Sequence, residues 1–285
     1  MAKLIITSDS TADLNELAAE NSVKIMPLYI NLGDKSLADD GKEIVPDDIY
    51  KFVSETGNLP TTSANPVGTY ADFFKELVDE GYDVVHLNLS SEFSSTHQNT
   101  VIAAEDYDNV YVVDTRNLST GSGLLVLEAV RMAKEGLSAK EIADELSILI
   151  PKVDASFVID DLTYLNKGGR CSSAAKFGAN LLKLKPCIQV KNGAMGVGKK
   201  YRGDYKKCVE EYIKDKLSDT DSIDPRRVFV THTKCDDEIV ELAIKTVKEC
   251  FTFDSLHETV AGCTITTHCG PNTLGVLFFR KNDIE

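Results

Sequence analysis

The stretch Val84-Val85-His86-Leu87-Asn88-Leu89-Ser90-Ser91-Glu92-Phe93-Ser94-Ser95-Thr96 decides how this chain folds. Residues 84–89 are an apolar, strand-like run, a turn of hydroxyl side chains follows, and a helix is predicted over 94–104. The same succession recurs on either side. Residues 4–6 form a short β run ending at Ser8-Asp9-Ser10, and Ser10-x-x-Asp13 opens a helix with Leu14, Leu17 and Ala18 on one face. Residues 23–32 read as a second strand, Gly33-Asp34 as a turn, Asp39-Asp40-Gly41 as a hairpin crossing, and Pro46-Asp47-Asp48 as a helix start. Residues 66–80 are helical, 110–114 a strand, and 124–134 and 139–149 amphipathic helices. Strands alternating with helices predict a parallel sheet covered on both faces, an N-terminal three-layer α/β/α domain over residues 1–150.

The pattern changes near Pro151. Residues 156–159 read as a strand, 160–172 as a polar loop, and 174–184 as a helix. Residues 187–190 and 194–197 flank Lys191-Asn192-Gly193 as an antiparallel hairpin. Helices at 205–217 and 236–250 alternate with strands at 227–231, 256–261 and 273–279. This predicts a C-terminal α/β domain with a mixed sheet over residues 151–285.

Composition narrows the function. Of the 285 residues, 42% are hydrophobic and 27% charged, as in a globular protein with a sizeable core. The net charge of −14 argues against binding a phosphate backbone or docking on an anionic membrane. It leaves room for a small anionic ligand held by one local Arg or His. Seven cysteines without a C-x-x-C pair read as reduced thiols of a cytoplasmic protein. The first ten residues read as a strand instead of a signal peptide, and no apolar run reaches the length of a membrane span.

The hydroxyl-rich and glycine-rich turns carry the chemistry. Thr62 and Ser63 precede a helix that Pro66 can start, and Ser94, Ser95 and Thr96 precede the next. Such turns offer O–H and N–H donors at helix N-termini, and two of them at adjacent strand ends of a parallel sheet line a crevice of the kind that binds ligands. Several neutral donors can hold a carboxylate without a buried cation. His268 lies in the tight turn Thr267-His268-Cys269-Gly270-Pro271, and Arg170 follows Gly168-Gly169. Arg170 either reaches a carboxylate or phosphate or pairs with Asp160 or Asp161. Asp9, Ser10 and Asp13 fit capping of the first helix better than a metal or ligand site. Cys263, His268 and Cys269 match no common zinc spacing. Phe177, Leu181 and Leu184 form an apolar helix stripe that is either plain core or the wall of an acyl pocket. No Walker, dinucleotide or G-x-S-x-G motif is present.

Taken together, these segments resemble the DegV family. The resemblance rests on Asp9-Ser10-Thr11-Ala12-Asp13-Leu14, Thr61-Thr62-Ser63, Ser90-Ser91-x-Phe93-Ser94-x-Thr96-x-Gln98 and Val113-Asp114-Thr115-x-x-x-Ser119-x-Gly121. It continues through Asp161-Leu162-x-Tyr164-Leu165-x-Lys167-Gly168-Gly169-Arg170 and His268-Cys269-Gly270-Pro271-x-Thr273-Leu274-Gly275. It implies a two-domain fold with a long-chain fatty acid between the domains, its carboxylate on Thr62 and Ser94 and their neighbours Ser63 and Ser95, its tail in an apolar tunnel. It also implies a lipid-presenting subunit that is no enzyme by itself and needs no cofactor. A separate ATP-dependent fatty acid kinase would make the acyl phosphate. His268 and Arg170 would face the exposed end of the site, as carboxylate ligand and as positive groups toward the transferred phosphoryl or the partner. The chain differs from the common family pattern at Ala64-Asn65, where Gln-Pro is frequent, at Ser95 and His97, and at Asn272, which replaces a Gly and still tolerates left-handed backbone.

Two other readings stay open at this level. Ser94 and His268 fit an acyl hydrolase if an orienting acid and an oxyanion hole are present. A small phospho-ligand or sugar-binding site, as in the related dihydroxyacetone kinase fold, fits if there is no long apolar tunnel.

Overall fold

The computed structural model describes residues 3–171 and 184–284. The elements are, in chain order, β1 (Lys3–Asp9), α1 (Glu16–Glu20), β2 (Lys24–Met26), β3 (Tyr29–Leu32), β4 (Lys35–Ala38), α2 (Pro46–Thr56), β5 (Thr61–Ser63) and α3 (Val67–Asp79). There follow β6 (Tyr82–Asn88), α4 (Thr96–Ala104), β7 (Val110–Asp114), α5 (Thr120–Lys134), α6 (Ala139–Leu149), β8 (Val153–Ile159) and α7 (Thr163–Gly168). The remainder comprises β9 (Leu184–Lys191), β10 (Ala194–Arg202), α8 (Tyr205–Lys216), β11 (Ile223–His232), α9 (Asp237–Cys250), β12 (Ser255–Val260), α10 (Cys263–Cys269) and β13 (Thr273–Arg280).

The first sheet runs β2-β1-β6-β7 and is parallel throughout, with Ile6 opposite Val85 and Leu87 opposite Val113. β6 is buried from Val84 through Asn88 because both faces of the sheet are covered. Val84 and Val110 pack under Tyr70, Phe73 and Phe74 of α3 and Ala103 of α4, whereas Val85, Leu87 and Val113 point to the α5 and α6 side. The third sheet runs β10-β9-β8-β13-β11-β12. It is antiparallel except between β11 and β12. Helices α8 and α9 cover one of its faces through Tyr212, Ile213 and Val247. The architecture is therefore α/β, with a parallel sheet followed by a mixed one.

Helix α5 differs from its predicted amphipathic form. It is buried on nearly every side, from Thr120 through Val130. The reason is its place between the two large sheets, against β1 and β6 on one side and β8, β11 and β13 on the other. A helix enclosed in this way needs no polar stripe. One hydrophobic core consequently runs from Ile6 to Phe279.

Several local expectations are corrected. The strand expected over 23–32 is two strands in different sheets. Pro27 lacks an N–H and cannot continue the ladder, so the chain leaves β2 and starts β3 in a small antiparallel sheet, β4-β3-β5. That sheet's hairpin turn is at Gly33-Asp34, not at Asp39-Asp40-Gly41. Ser10 opens a 3-10 turn capped by Asp9, and Asp13 ends it in the left-handed region at φ 49°. Leu184, expected on a helix stripe, is the first residue of β9, while Phe177 and Leu181 lie outside the described residues. The loop expected over 160–172 contains α7, and α10 is a helix without a sequence forecast. Among the described residues no helix is long and apolar enough to cross a membrane.

Candidate functional site

The sequence of α10, Cys263-Thr264-Ile265-Thr266-Thr267-His268-Cys269, is a poor helix former, being rich in β-branched residues. Its N-terminus is held by two carboxylates from the other half of the chain. Asp39 accepts from the Cys263 and Thr264 amides, each at 2.9 Å, and from Thr264 Oγ1 at 2.6 Å. Asp13 accepts from the Gly262 amide at 2.8 Å and from Ser119 Oγ at 2.5 Å. Carboxyl oxygens placed at a helix N-terminus satisfy amides with no partner inside the helix. Burial nonetheless pushes the Asp13 pKa up to about 8. Asp9, Ser10 and Asp13 thus brace the fold. Ser10 Oγ donates to Asp39 and accepts from the Leu28 amide.

His268 sits in the last turn of α10, not in a tight turn of its own. The turn follows it, with Gly270 at φ 71° and Asn272 at φ 53°. Its Nε2 lies 2.9 Å from Thr62 Oγ1. Its Nδ1 faces Gly168 of α7, where a Cβ would come within 2.6 Å of it, and has no hydrogen-bond partner among the described residues. Burial, with the Arg170 guanidinium adding to it, lowers the pKa of the ring to about 4. That direction favours the neutral ring, a hydrogen-bonding group beside Thr62.

Thr62 and Ser63 are in β5, an edge strand of the small antiparallel sheet, where Thr62 pairs with Ile30. They are not at the end of a parallel strand. Asn31 steadies them by donating to Ser63 Oγ at 3.3 Å and Thr61 Oγ1 at 3.4 Å. Ser94 and Ser95 follow β6 as expected. Ser94 Oγ accepts from the Thr96 amide at 3.2 Å and shares a hydrogen bond with Thr96 Oγ1 at 2.8 Å, and Ser95 is the N-cap residue of α4. Arg170 is exposed and donates to the carbonyls of Gly168 at 2.8 Å and Phe93 at 3.4 Å. Its sequence alternatives are occupied otherwise: Asp160 pairs with Lys185, and Asp161 accepts from Thr163.

Thr62, Ser63, Ser94, Ser95, Arg170 and His268 all border one cavity of about 200 Å³. Its other walls are mostly apolar: Leu28, Leu89, Phe93, Leu118, Met195 and Ile265. Leu118, Ile265 and Cys269 also border a smaller recess of about 30 Å³ that reaches Phe157 and Leu277. The cavity thus gathers hydroxyl, imidazole and guanidinium groups among mostly apolar walls. Leu184 does not border it. Sequence reasoning missed Ile265 because α10 was not foreseen, and Leu118 and Met195 because nothing local marks them as facing a shared space. A larger groove of about 570 Å³ opens at the opposite end of α10. It contains none of the hydroxyl turns, and its Asp13 and Asp39 carboxylates already hold α10, so the smaller cavity is the better candidate. Among the described residues no group of three His, Cys, Asp or Glu side chains is placed to hold a metal ion.

The family model described as "Uncharacterised protein, DegV family" matches residues 3–281. A DegV domain-containing protein of Caldanaerobacter subterraneus subsp. tengcongensis is 36% identical over 289 residues, covering 99% of this chain and 100% of its own length. A protein of Thermotoga maritima named fatty acid-binding protein is 34% identical, with 96% of each chain covered. The solved structure described as fatty acid binding of a DegV family protein from Thermus thermophilus superposes with a TM-score of 0.89 at 30% identity, over 98% of this chain and 99% of that one. The family model and these relatives span nearly the whole chain, and this chain belongs to the DegV family.

Proposed function

We propose that this protein binds a long-chain fatty acid in the cavity between its 1–150 and 151–285 domains and presents the carboxylate to a separate ATP-dependent kinase subunit. One observation carries the reading: a single cavity bordered by the hydroxyl turns and the His268 ring, with otherwise mostly apolar walls. Thr62 and Ser94, with Ser63 and Ser95 beside them, would hold the carboxylate by charge-assisted hydrogen bonds, and the ring of His268 completes the grip. The tail supplies affinity at roughly 0.8 kcal/mol per buried CH₂. The fatty acid binding ascribed to the Thermotoga and Thermus relatives supports the ligand class. Arg170 is the exposed cation beside the head and suits the incoming phosphoryl group or the kinase surface. In that transfer a carboxylate oxygen attacks the γ-phosphorus of ATP, and the acyl phosphate and ADP leave.

Hydrolysis by Ser94 has less support. The Ser94 hydroxyl is engaged with Thr96, the His268 Nε2 with Thr62, and no carboxylate orients Nδ1 among the described residues. The test is native mass spectrometry of gently purified protein with lipid extraction. A co-purifying fatty acid is expected; an apo mass together with no thermal shift on adding fatty acid rejects the reading. Presentation is tested with a cognate kinase and ATP. Arg170→Ala should keep lipid affinity within about tenfold while acyl phosphate formation falls sharply, and full-rate transfer would remove Arg170 from that role.

A further inference from the structure

Thr62 and Ser94 stand on elements that share no backbone ladder. Thr62 is in β5 of the small sheet, and Ser94 lies between β6 of the parallel sheet and α4. A carboxylate gripped from both sides needs their separation held closely, because hydrogen bonds weaken steeply outside their normal distances and angles. Asn65 makes the connection. It is fully buried, three positions after Thr62, and its Nδ2 donates to the Pro27 carbonyl at 2.9 Å. Its backbone carbonyl accepts from Asn99 Nδ2 at 2.8 Å, and Asn99 stands on α4 one turn beyond Ser95, to whose backbone carbonyl the Asn99 backbone amide is bonded. The Tyr70 hydroxyl of α3 lies beside the side chains of Asn65, Thr100 and Thr96, and Thr100 donates to the Thr96 carbonyl at 2.7 Å. Asn65 Oδ1 and Tyr70 Oη are buried without a hydrogen-bond partner among the described residues. Apolar side chains would fill the same space at lower cost, so packing alone does not account for this polar bracket.

We propose that Asn65 and Asn99 are positioning residues that set the spacing of the Thr62 and Ser94 hydroxyls, and with it the preference of the site for a carboxylate over a neutral head group. The proposal rests on the fatty-acid reading above. It is tested on the full chain by calorimetric titration with hexadecanoic acid and its methyl ester, alongside thermal midpoints. Asn99 is only partly buried on a helix, where alanine is well tolerated, so Asn99→Ala is the primary variant and Asn65→Ala the second. Both should lower the acid-over-ester affinity ratio at least about fivefold, while ester affinity stays within about twofold. Asn99→Gln, which keeps an amide donor, should recover part of the ratio. An unchanged ratio in Asn99→Ala, or equal losses for both ligands, overturns the proposal even if Asn65→Ala does not fold. A wild-type protein with no preference for the acid overturns the head-group reading and this proposal with it. A clear wild-type preference that Asn99→Ala leaves intact overturns the bracket alone.

Discussion

Thr62→Val is the sharpest probe of the proposed head-group site. The substitution keeps the shape and the β-branched character suited to an edge strand, and removes only Oγ1. Thr62 Oγ1 lies 2.9 Å from His268 Nε2, in a cavity that the ring borders. Losing it leaves a polar nitrogen without that partner, at a cost of about 1 kcal/mol, which for a chain of this size lowers the thermal midpoint by roughly 2 °C. In the complex the same hydroxyl would donate to an ionised carboxylate, a bond worth about 1.5–3 kcal/mol, so fatty acid affinity should fall roughly 10- to 150-fold. The methyl ester carries no charge and should lose far less. Displacement of a fluorescent fatty acid at neutral pH, with acid and ester titrated in parallel, separates the two effects. If acid and ester weaken by the same factor, Thr62 acts through packing and the carboxylate assignment is wrong.

Two further outcomes follow from other contacts. Gly168→Ala is expected to strengthen the end of α7 by helix propensity, yet its Cβ would meet His268 Nδ1 at 2.6 Å and push the ring off Thr62. Fatty acid affinity should drop about tenfold, with a lower thermal midpoint from the displaced ring, and an unchanged titration would show that His268 is not needed in that position. His86 is fully buried among Tyr70, Phe73 and Phe74 with Nδ1 on Thr7 Oγ1, and burial lowers its pKa to about 3. Unfolded chains take up a proton below the ordinary histidine value near 6.5 while folded His86 stays neutral, so its contribution is complete above about pH 6.5 and is lost as pH falls toward 3, at roughly 1.4 kcal/mol per unit. Urea titrations at pH 7 and pH 4 should give a smaller difference in His86→Gln than in wild type; equal differences would refute the assignment.

What the sequence by itself determined are features whose cause lies within a few residues. The run 84–89, with Val84, Val85, Leu87 and Leu89 in it, reads as a covered strand, as β6 is. Asn192-Gly193 bends a hairpin between β9 and β10, and Asn272 adopts the left-handed backbone that its side chain tolerates. The hydroxyl turns and their order along the chain were equally legible, and so was the family they belong to. The tertiary structure decided what depends on distant partners. Helix α10 is built from weak helix formers and is held at its N-terminus by Asp13 and Asp39, more than 220 residues away. No local signal could report those caps, so neither the helix nor the place of Ile265 on the cavity wall was readable. Thr62 meets His268 across 206 positions only because β5 pairs with β3 in the small antiparallel sheet, which the chain begins once Pro27 has ended β2. The burial of α5 has the same origin: its composition permits a helix, but enclosure between two sheets is a property of their packing. Local chemistry chooses turns, strands and caps; the separation of the groups that would grip a carboxylate is set by contacts between segments that the chain order keeps apart.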